Sequence, residues 1–325
     1  MNALSQVCAL PEAATTPIGS EVLRGLTSMP KTLSPWLFYD EDGSKLFEAI
    51  TELPEYYLTR TERAIFAEHA DEILEAADGQ NLKLIELGAG TATKTGLLLR
   101  AAVRRQERVE YLAIDVSESA LAEAQQHIEE EIPGVSVITR VGDYTSGIEE
   151  IPVVGQRRMV LYIGSSIGNF EPSDAVQVLR EVRKRLAPGD KLLLGADRVK
   201  ERSALIPAYD DAAGVTATFN KNVLTRINRE LGANFNLRLF RHHARWNDEH
   251  SRIEMHLESL IAQYVTIPSL ELEVKFQRGE TIHTENSYKF TAQSIASIVE
   301  RAGFEMARCW TDERQWFGVY LATAV

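Results

Sequence analysis

Five short apolar runs between residues 82 and 195 alternate with segments of helical periodicity. The predicted strands cover residues 82–87, 109–116, 135–141, 159–164 and 191–195. Repeated strand–helix units of this length are typical of an open parallel sheet with helices on both faces. In such a sheet, ligands bind beyond the carboxyl ends of the strands. The pattern therefore predicts an α/β fold with a Rossmann-like sheet, and it predicts the edge at which a ligand binds.

Glycine and polar residues follow these strands at their carboxyl ends. Gly88 and Gly90 come directly after the first strand, in a G-x-G-x-x-T sequence with threonine where a dinucleotide-binding loop has its third glycine. Asp115 ends the second strand, Asp143 follows the third and Asn169 follows the fourth. Two glycines after a strand can also form an ordinary tight turn, so the loop alone does not distinguish such a turn from a cofactor site. The polar residues at neighbouring strand ends favour a cofactor site.

Two kinds of cofactor fit this edge of the sheet. A dinucleotide needs a pyrophosphate site at the helix N-terminus, usually with three glycines. S-adenosylmethionine (SAM) has no phosphate, and a carboxylate in the place of Asp115 can accept hydrogen bonds from both ribose hydroxyls. Asp143 can accept from the adenine amino group. Either aspartate could instead serve as a helix cap or turn residue, but their joint position favours SAM over a nicotinamide dinucleotide.

The pattern of the chain changes after residue 197. Apolar residues alternate over 253–257 and 270–276, which predicts antiparallel strands with one buried and one wet face. Residues 277–280 are predicted to form a hairpin loop that returns through 282–286, and 219–231 form an amphipathic helix. A helix and a terminal hairpin, with strands around 306–310 and 317–323, are then predicted to form the antiparallel edge of the first sheet. We therefore predict a SAM-binding domain from residues 62–196 and 288–325, and an α+β substrate-binding domain from 1–61 and 197–287.

Several short polar motifs predict helix starts. Thr59-Arg60-Thr61-Glu62 has the spacing of a capping box, which predicts a helix from there to about residue 77. Ser117, Ser173 and Thr291 each precede a segment of helical periodicity and are predicted to be N-caps.

Composition excludes several classes of protein. The net charge of −12 argues against a nucleic-acid partner, because such binding draws on clustered Lys and Arg. Two distant cysteines, Cys8 and Cys309, argue against a disulfide framework. No apolar run approaches the roughly 20 residues of a membrane span, and no signal peptide or metal-binding motif is present. We expect a cytoplasmic monomer that acts on a small molecule, without a metal ion and without a nucleic-acid or membrane partner.

The chain also resembles a known family over nearly its whole length, the SAM-dependent histidine Nα-methyltransferases of ergothioneine biosynthesis. The glycine loop is shared by many methyltransferases, whereas the motifs of the second domain are far more specific. The resemblance lies in Phe38-Tyr39-Asp40, Leu53-Pro54-Glu55-Tyr56-Tyr57, Glu86-Leu87-Gly88-Ala89-Gly90-Thr91, Gly164-Ser165-Ser166-Ile167-Gly168-Asn169, Tyr209-Asp210-Asp211-Ala212-Ala213-Gly214-Val215-Thr216-Ala217, Asn228-Arg229-Glu230-Leu231, Arg252-Ile253-Glu254-Met255 and Thr284-Glu285-Asn286-Ser287-Tyr288-Lys289-Phe290.

The resemblance implies a role for individual residues. It assigns the methyl donor to Gly88, Gly90, Lys94, Asp115, Gly142 and Asp143. It assigns the substrate carboxylate to Asn169 and Tyr209, and the imidazole to Tyr56, Glu285 and Ser287. Met255 is a further predicted substrate-binding residue. Tyr39 and Asn169 are the candidate catalytic residues. Tyr39 is a candidate acceptor for the amine N–H, and water is the alternative.

One position departs from the family. Asn286 lies between Glu285 and Ser287, where family members tend to have an apolar residue. Strand alternation predicts that Asn286 faces away from its two neighbours.

The resemblance implies SAM-dependent Nα-methylation of L-histidine, up to trimethylation, with S-adenosylhomocysteine (SAH) as by-product. The alternatives are Nα-methylation of another aromatic amino acid such as tryptophan, a nicotinamide-dependent oxidoreductase, and a non-catalytic SAM-binding module.

Overall fold

The computed structural model describes residues 11–78, 81–142 and 157–325. The chain divides into two compact units. The smaller unit consists of Met1–Phe47, Tyr209–Arg245 and Glu254–Glu285, and the larger of Glu48–Ala208, Trp246–Ile253 and Asn286–Val325. The larger unit thus includes residues 48–61 and 197–208, which the sequence analysis assigned to the substrate-binding domain. The functional division into two domains stays a prediction.

The larger unit contains a seven-stranded sheet of β2 Lys83–Leu87, β3 Val109–Asp115, β4 Val135–Val141, β5 Arg158–Tyr162, β6 Lys191–Asp197, β12 Phe304–Thr311 and β13 Phe317–Ala324. Their order in the sheet is β12-β13-β6-β5-β2-β3-β4. Neighbours among β2 to β6 pair in parallel, whereas β13 is antiparallel to both β6 and β12. The α/β prediction and the antiparallel terminal hairpin are confirmed. The strand order reverses between β2 and β5, which is where open α/β sheets bind ligands.

The central strands are apolar because both of their faces are covered. Leu84 and Ile85 of β2 are fully buried, as are Val160 and Leu161 of β5. Continuous apolar runs of this kind are typical of parallel strands between two layers of helices. The polar groups of this region therefore concentrate where the strands end.

The described helices are α1 Pro17–Thr27, α2 Glu41–Thr51, α3 Tyr57–Ala76, α4 Thr95–Gln106, α5 Glu118–Glu131, α6 Pro172–Arg185, α7 Arg202–Leu205, α8 Val215–Leu231 and α9 Ala292–Arg301. Ser117 caps α5 and Thr291 caps α9, as predicted. Ser173 was predicted to cap α6, but that helix begins at Pro172 with Glu171 as N-cap. Proline fits the first helical turn because its missing N–H is one that the helix does not use. None of these helices, in the ranges that the structure describes, is both long and apolar enough to cross a membrane.

The predicted capping box at the start of α3 is wrong. The helix begins at Tyr57, and the Thr61 hydroxyl donates to the Tyr57 carbonyl oxygen within the first turn at 2.9 Å. Glu62 is fully buried and makes its contacts with other elements. Its spacing from Leu58 and Phe66, four residues on either side, places it on the buried face of the helix.

The smaller unit is α+β. The main sheet to which it contributes has the order β1-β11-β8-β7, with β1 Lys31–Thr32, β7 Phe240–Asn247, β8 Arg252–Ser259 and β11 Thr281–Tyr288. The last residues of β7 and β11 and the first two of β8 are counted with the larger unit. A separate pair of strands comprises β9 Gln263–Ile267 and β10 Leu272–Phe276. The predicted hairpin between β10 and β11 is therefore wrong, because β10 pairs with β9 and β11 belongs to the main sheet. Alternation identifies a buried face of a strand but carries no information about its partner. The predicted helix at 219–231 is confirmed as part of α8, with Phe219, Val223 and Ile227 buried.

Candidate functional site

The glycine loop after β2 has the conformation that its sequence requires. Gly88 has φ of 74° and Gly90 has φ of 52°, in the left-handed region that glycine adopts without strain. The amide of Gly88 donates to the carbonyl oxygen of Ile114 at 2.8 Å, which ties the loop to the end of β3. A Cβ added at Gly90 would meet nothing within 4 Å. The second glycine therefore serves backbone conformation and leaves open space beside the loop.

Asp115 is held in place by backbone donors at the end of β3. The Gly90 amide donates to its Oδ2 at 2.8 Å, and the Ser117 amide donates to its Oδ1 at 2.9 Å. Burial raises the pKa of the carboxyl, while these two N–H groups act in the opposite direction. The amide of Gly142 donates to the Asp115 carbonyl oxygen at 2.9 Å. The structure thus brings together four of the predicted cofactor residues, Gly88, Gly90, Asp115 and Gly142. Asp143 lies outside the described residues.

Lys94 is anchored by a buried carboxylate. The Nζ atom of Lys94 lies 2.5 Å from Oε2 of Glu62, whose side chain is fully buried. The two Glu62 oxygens also accept from the Gly164 amide, at 2.9 and 3.0 Å. A Cβ added at Gly195 would lie 2.1 Å from Glu62 Oε1, so β6 has a glycine where the carboxylate passes. Glu62 therefore connects α3, the segment before α4 and the loop after β5. Sequence reasoning missed this role, although an acid on an apolar helix face was a usable signal.

A second buried carboxylate lies beneath the glycine loop. Glu86 of β2 accepts from the Thr95 hydroxyl at 2.7 Å and from the hydroxyl of Tyr111. Burial raises the pKa of Glu86 to about 7, and the two hydroxyl donors only partly offset this effect. Glu86 thus joins β2, β3 and the first turn of α4.

Three predicted substrate residues lie in the larger unit. Asn169 is half-buried and ends a 3₁₀ turn, Ser166–Asn169, that follows β5. Tyr56 is buried and directly precedes α3. Ser287 is buried near the end of β11, where its Oγ accepts from Lys289 Nζ at 2.8 Å. A Cβ added at Gly168 would lie 2.9 Å from the Tyr288 carbonyl oxygen, so the turn before Asn169 packs against the end of β11.

The other predicted substrate residues lie in the smaller unit. The Tyr39 ring contacts the rings of Phe47 and Phe219, with centroids 5.7 Å from each. Tyr209, Met255 and Glu285 are largely buried, with relative exposures of 7%, 2% and 9%. The backbone of each is fixed by a hydrogen bond, because their carbonyl oxygens accept from His242, Thr284 and His283 respectively.

Asn286 is placed by a contact of its own. Its Nδ2 donates to Glu171 Oε1 at 3.5 Å, and Asn286 is half-buried whereas its neighbours Glu285 and Ser287 are buried. That Asn286 turns away from its two neighbours stays a prediction.

The residues at the sheet edge fit the chemistry of SAM. The Asp115 carboxylate suits the two ribose hydroxyls, and the open space at Gly90 lies directly beside it. Lys94, whose side chain is 22% exposed, offers a cation for the carboxylate of the methionine part. The loop also lacks the third glycine that a pyrophosphate site usually has.

Comparison with known proteins gives the family. Residues 18–324 match a family model described as histidine-specific methyltransferase, SAM-dependent. The chain is 43% identical to a histidine N-alpha-methyltransferase of Mycolicibacterium smegmatis over 96% of both chains. It is 43% identical to one of Mycobacterium tuberculosis over 93% of both. It is also 34% identical to ergothioneine biosynthesis protein 1 of Neurospora crassa, over 62% of this chain and 23% of that one. The chain therefore belongs to the family of SAM-dependent, histidine-specific methyltransferases.

Proposed function

We propose that the protein methylates the α-amine of L-histidine with SAM, up to three times, and thereby produces hercynine for ergothioneine biosynthesis. The observation that carries this proposal is the 43% identity to a histidine N-alpha-methyltransferase across 96% of both chains. The cofactor edge adds physical support, because Gly90 and Asp115 are joined there by a hydrogen bond at 2.8 Å.

The proposed cofactor roles follow from charge and hydrogen bonding. Asp115 accepts from the ribose hydroxyls and Lys94 pairs with the methionine carboxylate. The backbone at Gly88, Gly90 and Gly142 borders the cofactor closely, and Asp143 accepts from the adenine amino group. When bound, the cofactor supplies an electrophilic methyl group on a sulfonium.

The proposed substrate roles use neutral donors for the substrate carboxylate. The Asn169 amide and the Tyr209 hydroxyl can donate to that carboxylate without burying a second full charge. Tyr56 and Met255 border the imidazole, Glu285 accepts from its N–H, and Ser287 serves the other ring nitrogen. An imidazole nitrogen left without a partner in a closed pocket would cost about 1–3 kcal/mol.

The chain accelerates transfer mainly by holding the amine in line with the methyl group. Well-oriented partners can supply about 7–11 kcal/mol of the barrier. The amine must be neutral to attack, and Tyr39 orients it by accepting an N–H. Each transfer leaves the nitrogen protonated, so a mono- or dimethylated amine reacts again once loss of this proton restores its lone pair. A trimethylated nitrogen has none, and the sequence of transfers ends there.

The proposal is tested by incubating the purified protein with SAM and each amino acid in turn. We expect histidine to gain one, two and three methyl groups by mass spectrometry, with one SAH formed per methyl. Asp115→Ala is the matched control, and it should abolish the increments. No increment on histidine, or increments on tryptophan instead, would overturn the proposed substrate.

We also propose that the protein acts as a monomer in the cytoplasm on a free amino acid. Size-exclusion chromatography with light scattering should give the mass of one chain, and fractionation of the source cells should place the protein with soluble cytoplasmic enzymes. A dimer mass would contradict the first part, and recovery with membranes the second.

A further inference from the structure

A buried charged network adjoins Ser287 in the larger unit. Lys289 donates from Nζ to Ser287 Oγ at 2.8 Å and lies 2.9 Å from Oδ2 of Asp197. The side chains of Lys289 and Asp197 are both fully buried. Asp197 ends β6, and its amide donates to Ser165 Oγ at 2.9 Å. The network therefore ties Ser287 to the carboxyl-end loops of the parallel sheet.

Asp197 has a second lysine. Lys200 pairs with Oδ1 of Asp197 and donates to the Tyr57 hydroxyl at 2.7 Å. That hydroxyl in turn donates to Asp197 Oδ2 at 2.6 Å. Lys200 alone would balance the charge of Asp197, and a further buried ammonium is costly unless its contacts compensate. Lys289 is therefore expected to do more than balance the charge of Asp197.

The contact between Lys289 and Ser287 indicates the further role of Lys289. An ammonium has three donors and no acceptor, so the Ser287 oxygen must accept from Lys289. The hydroxyl hydrogen of Ser287 is consequently directed away from Lys289. The Ser287 hydroxyl can therefore donate to a group other than Lys289.

We propose that Lys289 is a positioning residue that makes Ser287 a hydrogen-bond donor to the acceptor nitrogen of the substrate ring. Asp197 holds Lys289 in place for this purpose. A neutral imidazole has one acceptor nitrogen, whereas indole and phenyl rings have none. The network would therefore contribute to the preference for histidine over other aromatic amino acids. This inference rests on the proposed function.

A double-mutant cycle tests the coupling between the two residues. The affinity for histidine is measured by calorimetry with SAH present, in Lys289→Met, Ser287→Ala and the double variant. Each single substitution should weaken histidine binding about tenfold, as expected for a hydrogen bond made by or through a charged group. The double variant should be no weaker than Ser287→Ala, because Lys289 acts through Ser287. Unchanged binding in Lys289→Met, or losses that multiply, would overturn the proposal.

Lys200→Met is the matched control, since it removes the other lysine from Asp197 without touching Ser287. Its histidine affinity should stay within about twofold of wild type, and a tenfold loss would instead indicate a general effect of the buried charges. The affinity for SAH should be unchanged in all variants, which separates a positioning effect from misfolding.

If Lys289→Met does not fold, the hydrogen bond from Ser287 to the acceptor nitrogen of the ring can be tested in the wild-type protein. An alanine derivative with a pyrrole ring keeps the N–H but lacks the acceptor nitrogen. It should bind wild type at least about tenfold more weakly than histidine, and Ser287→Ala should bind both alike. Equal binding of the two ligands by wild type would overturn the inference while leaving histidine methylation intact. Failure of wild type to bind histidine at all would instead overturn the proposed function.

Discussion

The buried carboxyl of Glu86 should make the stability of this protein depend on pH. In the folded chain, burial raises its pKa from 4.5 to about 7. Because the folded pKa lies above the unfolded one, the folded chain binds more protons between these two pH values. The free energy of unfolding therefore falls as the pH rises through this window. The difference of about 2.5 pH units corresponds to about 3 kcal/mol, at 1.36 kcal/mol per unit.

Glu86→Gln removes this titration while keeping a side chain of similar shape. The hydroxyls of Thr95 and Tyr111 can reorient toward an amide. As the pH rises from 4.5 to 8, the free energy of unfolding of wild type should fall by about 3 kcal/mol relative to that of the variant. Titrations that the two proteins share cancel in this difference.

Urea unfolding at several pH values measures the effect. Trp246, Trp310 and Trp316 lie in the larger unit with Glu86, so tryptophan fluorescence mainly follows that unit. Glu110→Gln is the control, because this side chain is 52% exposed and pairs with Lys83. Its difference from wild type should stay within about 0.5 kcal/mol throughout. A difference between Glu86→Gln and wild type that does not change with pH would refute the reasoning.

Three further substitutions test the cofactor edge. Asp115→Ala removes the acceptor of the Gly90 amide, and calorimetry should show SAH binding at least about tenfold weaker; undiminished binding would exclude Asp115 as a ribose ligand. Glu62→Gln leaves Lys94 without its counter-charge and should lower the free energy of unfolding in urea by about 1.5–3 kcal/mol, whereas wild-type stability would mean that the ion pair contributes nothing. Gly195→Ala places a methyl 2.1 Å from the Glu62 carboxylate and should cost about 1–3 kcal/mol by the same measurement; in a Glu62→Ala background that cost should fall, because only the 3.2 Å contacts with the backbone of Ile163 and Gly164 remain, and an unchanged cost would argue against the clash.

The parts of the site that sequence could predict are those that local geometry dictates. The positive φ angles at Gly88 and Gly90 follow from a tight turn between strand and helix, and only glycine adopts them freely. Asp115 could be found because parallel strands bring their carboxyl ends to one edge. The same rule would have found Asp197 had the fifth strand been extended by two residues, since the structure ends β6 there.

Contacts between residues far apart in sequence were not predicted. Glu62 and Lys94 are thirty-two positions apart, and nothing in the spacing of either residue encodes their contact. Glu62 was instead assigned to a capping box, because a local motif can be satisfied in sequence and unused in the fold. Pairing between strands was missed for the same reason when β10 and β11 were joined as a hairpin.

Strand β8 shows what a buried polar side chain does to the alternation rule. Ile253, Met255 and Leu257 predict one buried and one wet face, yet Glu254 and His256 between them are only 3% exposed. Arg245 compensates Glu254 through an ion pair at 2.6 Å, and burial lowers the pKa of His256 to about 4. A strand covered on both faces can therefore still alternate in sequence when one of its covering layers is polar. In a small-molecule enzyme such a layer is expected near the substrate, where specificity requires polar groups held in fixed positions. The sequence alone therefore does not show whether a charged residue within an alternating strand is exposed or buried. In the structure, an ion-pair partner such as Arg245 accounts for its burial.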